Sequence, residues 1–90
     1  MSSFPLLIAT PSGAAFRGEA AQLSLRGSEG DLAILAGHIP LVTPVVPGVC
    51  RVLLPDGSVR QGTVSDGLLY VSGTEVSLIA GTFAWDESNN

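Results

Sequence analysis

The chain predicts an all-β fold: a small two-sheet β-sandwich of about eight to ten short strands joined by hairpin turns. Three observations lead there. Eleven glycines and six prolines punctuate the 90 residues, recurring about every ten positions, as turns between short strands do. No apolar stripe of helical spacing runs for a useful length. Finally, Gln22-Leu23-Ser24-Leu25-Arg26 alternates apolar with polar, which marks a strand with one buried and one wet face.

Phe4–Ala9 is the first expected strand, closed by the turn residues Pro11, Ser12 and Gly13. Ala14–Arg26 is expected as one long strand, interrupted by a bulge or bend at Gly18. Gly27-Ser28-Glu29-Gly30 follows as a turn whose two glycines are free to take positive φ. Asp31–Leu35 is a short strand with Leu32 and Ile34 on one face, and Ala36–Pro40 is an irregular loop. Leu41–Val46 returns extended, and Pro44 within it marks an edge or a kink. Pro47-Gly48 fits the centre of a type II turn.

Val49–Leu54 and Val59–Val64 flank Pro55-Asp56-Gly57-Ser58, the strongest hairpin signal in the chain. Asp66-Gly67 is expected as a further tight turn before Leu68–Ser72, and Gly73-Thr74 as another before a last extended stretch, Glu75–Trp85. Residues 1–85 thus make one domain. Residues 86–90, polar and acidic, read as a disordered tail.

Composition excludes several classes of function. Four arginines, no lysine and eight carboxylates leave a net charge of −4. A broad basic face for nucleic acid cannot be built from these, and adhesion to anionic lipid is disfavoured for the same reason. The uncharged run Leu32–Cys50 approaches membrane-spanning length but is broken by Gly37, Pro40, Pro44, Pro47 and Gly48. No secretory leader precedes the first strand, so a cytoplasmic chain is expected. The single cysteine, Cys50, reads as a small buried strand residue.

Catalytic, cofactor and metal residues are not expected. His38 needs a partner to act as a base, and Asp31 and Thr43 are the nearest candidates in sequence. The reading favoured is a structural or interface histidine with its ring bonded to backbone. Glu29 and Asp31 flank Gly30 without a third oxygen ligand at calcium-loop spacing. A phosphate loop of the lysine-bearing type is impossible here, as is a biotin or lipoate attachment site. What remains is an interface. Leu35, Ile39, Leu41, Val42, Val45 and Val46 cluster around proline-rich loops, more apolar groups than so small an interior holds. Part of them is expected as an exposed patch.

The stretch Gly27-Ser28-Glu29-Gly30-Asp31-Leu32, followed by Gly37-His38-Ile39-Pro40-Leu41 with Thr43 and then Pro47-Gly48, resembles the N-terminal β-sandwich domain of the epsilon subunit of F-type ATP synthases. Phe16 and Gly18 stand where that domain has its F-x-G element, and Ser65–Val71 and Glu75–Ala80 resemble its later strands. The likeness spans Leu6–Ala84, and the order and spacing of the motifs carry it.

The resemblance implies a non-catalytic rotor subunit of the central stalk. It would bind the gamma subunit and the polar loops of the c-ring, and so couple ion-driven rotation to ATP synthesis. Carried over by position, Glu29, Gly30 and Asp31 would face the c-ring loops, and His38, Ile39, Pro40, Leu41, Val42 and Thr43 would lie near gamma and the ring. It implies a peripheral location on the cytoplasmic side of a bacterial membrane, with no lipid insertion, cofactor or nucleotide. The family's two C-terminal helices do not follow, so helix-mediated inhibition is not expected of this chain. Ala36 stands where many members have proline, which leaves the loop entering Gly37-His38 less rigid. The alternative class is a stand-alone β-sandwich module that binds a protein or ligand.

Overall fold

The computed structural model describes residues 2–86. Ten strands account for all of its regular structure: β1 (Phe4–Thr10), β2 (Gly13–Ala20), β3 (Gln22–Gly27), β4 (Gly30–Leu35), β5 (Leu41–Val45), β6 (Gly48–Leu53), β7 (Val59–Val64), β8 (Gly67–Val71), β9 (Val76–Ala80) and β10 (Phe83–Trp85). The predicted all-β sandwich is the fold, at the upper end of the expected strand number. Of the expected tail, residues 87–90 lie outside the described residues.

The strands form one ribbon that doubles back on itself. β4, β3, β6, β7 and β10 make one five-stranded layer, here sheet I, and β5, β8, β9, β1 and β2 make sheet II. They join where β3 meets β5 at the single pair Gly27–Val45. Backbone bonds from Ser28 N to Pro44 O (3.3 Å) and from Val46 N to Arg26 O (3.1 Å) reinforce that joint. Pro44 O points to β3, and in an extended residue the nitrogen lies on the same side. The missing proline N–H is therefore outside the β5–β8 ladder, as the edge reading of Pro44 requires.

Opposite the joint, the outer strands β2 and β10 are tied by side chains. Trp85 Nε1 donates to Ala15 O at 3.0 Å. Phe16 and Phe83 meet the Trp85 ring edge-on at centroid separations of 6.3 and 4.7 Å, a favoured aromatic geometry. The Arg60 guanidinium lies 3.9 Å from the ring centroid on the same tryptophan. The sandwich is therefore nearly a closed barrel.

Between the layers lies a dry core. Leu23, Ile34, Cys50, Val52 and Val64 from sheet I meet Ile8, Val45, Leu69 and Leu78 from sheet II, all essentially inaccessible. No polar or charged side chain is buried among the described residues, so no desolvated group needs a partner. Burial pushes the Cys50 thiol from its ordinary 9.0 up to about 12, because an apolar site disfavours the charged thiolate.

Several local expectations need correction. The predicted long strand Ala14–Arg26 is two strands in different sheets, and the break falls at Ala21 rather than Gly18. A register shift does occur nearby, at Ile8/Ala9 against β2, where Ala15 is the extra residue. Glu75–Trp85 likewise divides, at Gly81-Thr82. Pro47-Gly48 is not a type II turn, because Gly48 has no positive φ and already opens β6.

Asp66-Gly67 is not a hairpin turn either, since it carries the chain from sheet I to sheet II. Glycine is needed there because a Cβ on Gly67 would collide with the Ile79 carbonyl. Only four connections, β1–β2, β3–β4, β6–β7 and β8–β9, are hairpins between paired strands. The other five links cross between sheets, so hairpins are less than half of the wiring.

Candidate functional site

Residue alternation assigns each strand one inward and one outward set. In sheet I the outward set is mixed: Gln22, Ser24 and Arg26 of β3, Arg51 of β6 and Gln61 and Thr63 of β7 are polar, while Leu35 of β4, Val49 of β6 and Val59 of β7 stand exposed among them. In sheet II it is apolar. Following the register, Val42, Tyr70, Ser77, Leu7 and Arg17 form one cross-strand row, and Pro44, Leu68, Ile79, Ala9 and Ala14 form the next. Val42 is 65% exposed, and Leu68, Tyr70 and Ile79 are each more than 40% exposed. Apolar groups in adjacent rows of five strands make a continuous patch, the kind of surface that another protein covers.

The sequence-predicted interface residues fall at two ends of one hairpin strand. Glu29 lies in the β3–β4 turn, Gly30 opens β4 with φ +127°, and Asp31 follows, all three exposed. Asp31 accepts from Arg26 Nε at 3.3 Å, so it is turned away from His38. Gly27, the other glycine of the turn, does not take positive φ; it is buried, and a Cβ there would press on Leu32 at 2.9 Å.

Loop 36–40 leaves the other end of β4, a strand's length or roughly 17 Å from the acidic turn. Its entry is fixed by the bond from His38 N to Leu35 O (3.1 Å) and by positive φ at Gly37. His38 Nδ1 is 2.8 Å from Ile39 O, a ring-to-backbone bond of the kind expected of a structural or interface histidine. The Thr43 hydroxyl donates to Pro44 O. Neither Asp31 nor Thr43 is thus set up to drive His38 as a base.

The expected split of the apolar cluster is also visible. Val45 is core and Leu41 packs against it, whereas Leu35, Ile39 and Val42 are exposed. Pro40 is exposed beside Ile39, and Thr43 is half-buried. Of these residues only Val42 belongs to the sheet II face, and Ile39 stands at its border at the start of β5. Leu7, Leu68, Tyr70 and Ile79 were not singled out from sequence. For Leu68 and Tyr70 the signal is the run Gly67-Leu68-Leu69-Tyr70-Val71, which does not alternate and so has apolar groups on both faces.

The outer face of sheet II, with Val42, Leu68, Tyr70 and Ile79 exposed on adjacent strands, is an apolar surface of the kind that another protein covers. The model for the ATP synthase delta/epsilon chain, beta-sandwich domain, matches residues 3–86. The ATP synthase epsilon chain of Persephonella marina is 34% identical over 76 residues, which are 84% of this chain and 56% of that one. The chain belongs to the ATP synthase delta/epsilon family, as its β-sandwich domain. It spans just over half the length of that relative.

Solved structures repeat the fold. A chain of the Euglena gracilis mitochondrial ATP synthase, seen in its OSCP/F1/c-ring assembly, superposes with a TM-score of 0.88 at 22% identity, covering 94% of this chain and 54% of the other. A chain of the Tetrahymena thermophila mitochondrial ATP synthase central stalk and c-ring gives 0.74 at 10% identity, covering 92% and 66%.

Proposed function

We propose that this chain is a non-catalytic element of the ATP synthase rotor. The outer face of sheet II docks on the gamma subunit, with His38 to Thr43 at its border. The Glu29-Gly30-Asp31 turn is offered to the polar loops of the c-ring. Rotation driven by ion flow then passes through this foot to the catalytic head, and the chain takes up a peripheral position on the cytoplasmic side of a bacterial membrane. The two apolar rows across sheet II carry the proposal. They are exposed, adjacent and served by five strands, which suits a permanent interface. The placement of similar folds in central-stalk and c-ring assemblies supports the same reading.

Titration of purified gamma subunit with the chain tests it. The expected result is a stable complex that Ile79→Glu abolishes while the melting temperature stays within a few degrees. Failure of the unaltered chain to bind gamma would sink the proposal.

A stand-alone ligand-binding module is the weaker reading. A ligand pocket draws on aromatic walls, and here Phe4 is in the core while Phe16, Phe83 and Trp85 are engaged with one another. Only Tyr70 remains outward among the five aromatics.

A further inference from the structure

On sheet I there is an opening that docking through sheet II leaves unused. β3 and β6 pair only at Gln22–Leu53, Leu23–Val52 and Ser24–Arg51. Beyond Ser24, β3 bends towards β5, which it meets at Gly27, while β6 stays beside β7 back to Gly48. The two strands part like a fork, and an open cleft of about 600 Å³ lies between them. Ser24, Arg26, Asp31, Ala33, Val49 and Arg51 are among its walls.

Half of the chain's arginines are here, and both are held in the same way. Arg26 Nε donates to Asp31 at 3.3 Å, and Arg51 Nε donates to Gln61 Oε1 at 2.8 Å. A guanidinium has five N–H donors in a planar fork. Anchoring through Nε fixes that plane and leaves the two terminal nitrogens for another acceptor. Arg51 has a neutral partner, Gln61, which in turn donates to Asp86 Oδ2 at 3.4 Å, and it makes no ion pair of its own among the described residues. The Arg26–Asp31 pair is 64% and 83% exposed, and so open an ion pair is easily exchanged.

We infer that this cleft receives a carboxylate side chain on a loop of a protein partner, gripped by Arg51 and by Arg26 released from Asp31. Arginine forks match a carboxylate with two parallel bonds. Ala33 and the 49%-exposed Val49 offer apolar wall to the stem of such a side chain, which a free anion would not use. The net charge of −4 opposes approach to an anionic membrane. With Asp31 in the wall beside the two arginines, the surface is dipolar rather than acidic, and the matching loop carries a cation beside its carboxylate. The inference rests on the rotor reading for the identity of that loop, which is a polar loop of the c-ring.

The test uses a gamma–c-ring rotor assembled without this subunit, titrated with the chain. Arg51→Glu is expected to weaken binding about tenfold or more, with no change in melting temperature or in binding to isolated gamma. Replacing the ring-loop carboxylates by lysine is expected to restore binding of Arg51→Glu. Equal binding of Arg51→Glu, Arg26→Glu and the unaltered chain to the rotor would overturn the cleft assignment alone. So would Arg51-dependent binding of inorganic phosphate or anionic vesicles with rotor binding intact. An unaltered chain that binds neither gamma nor the rotor would overturn the rotor reading and the cleft assignment with it.

Discussion

The two outer faces of this sandwich are built from the same period-two backbone but meet water differently. Sheet I carries polar groups along β3 and β7 with Leu35, Val49 and Val59 exposed among them, while sheet II sets Val42, Leu68, Tyr70 and Ile79 in adjacent rows beside Leu7 and Ala9. The inner faces are alike, apolar and interlocked. A small domain gains nothing in stability from exposed aliphatic rows, since burial is what makes them favourable. The difference between the faces is what the proposed docking through sheet II rests on.

Neighbouring residues on one strand give the sharpest way to break that contrast. Leu69 points inward and is inaccessible, while Leu68 beside it points outward. Leu69→Ala is expected to lower stability by about 2–5 kcal/mol, measured by denaturant unfolding, through lost burial and a residual cavity. Leu68→Glu is expected to leave unfolding within about 0.5 kcal/mol and to weaken gamma binding about 100-fold or more, read by calorimetry. Similar stability losses for both would mean that the outer face is part of the fold after all.

Cys50 tests the dryness of the core between the layers. Cys50→Ser is expected to cost about 1–2 kcal/mol, a hydroxyl being placed where a thiol was. The thiol also sets an alkaline limit. Its folded pKa lies near 12 against an ordinary 9.0, so above pH 9 the unfolded chain sheds a proton that the folded chain keeps. Stability from this group is complete below pH 9 and falls by up to about 1.4 kcal/mol per pH unit towards 12. Cys50→Ala is expected to remove that slope in pH-dependent unfolding.

Smaller effects belong to the turns. Glu29→Lys or Asp31→Lys is expected to weaken association with the rotor about three- to tenfold, more at low salt, with unchanged melting temperature, as for charges at an interface rim. A matching loss of melting temperature would place the turn in the fold instead. Smallest is Asp56→Ala. Asp56 accepts from Ser58 N at 2.8 Å and from the Ser58 hydroxyl at 2.6 Å, and these bonds hold its carboxyl below the usual range. The support they give the β6–β7 hairpin is present above the ordinary aspartate pKa and lost as pH falls through the lowered one. Amide exchange at Ser58 is expected to rise in the variant, with the global melting temperature nearly unchanged.

Much of the fold was legible in the sequence because turns and alternation are local. The Pro55–Ser58 hairpin, with Gly57 at φ +93°, the Gly27–Gly30 turn and the strand Asp31–Leu35 all follow from neighbouring residues. Sheet membership does not. Asp66-Gly67 and Pro47-Gly48 have the composition of tight turns, yet each carries the chain across the sandwich, and that depends on partners far away. The candidate site was half legible for the same reason. Ile39 and Val42 lie in a conspicuous proline-rich segment, whereas Leu68, Ile79 and Leu7 become one surface only after β5, β8, β9 and β1 pair. The cleft at Arg26 and Arg51 had no local signal, since it exists because β3 leaves β6 for β5.

The pairing of β1 with β9 has a consequence for how the chain is made. β1 begins at Phe4, and its parallel neighbour spans Val76–Ala80; the tie from Trp85 to Ala15 comes later still. During synthesis the first strand waits, with an open edge and apolar groups on both sides, until Val76–Ala80 has emerged. Pairings that distant slow folding and lengthen exposure to wrong partners. The chain's vulnerable period is therefore its own translation, and the ribosome's pace is part of its folding environment.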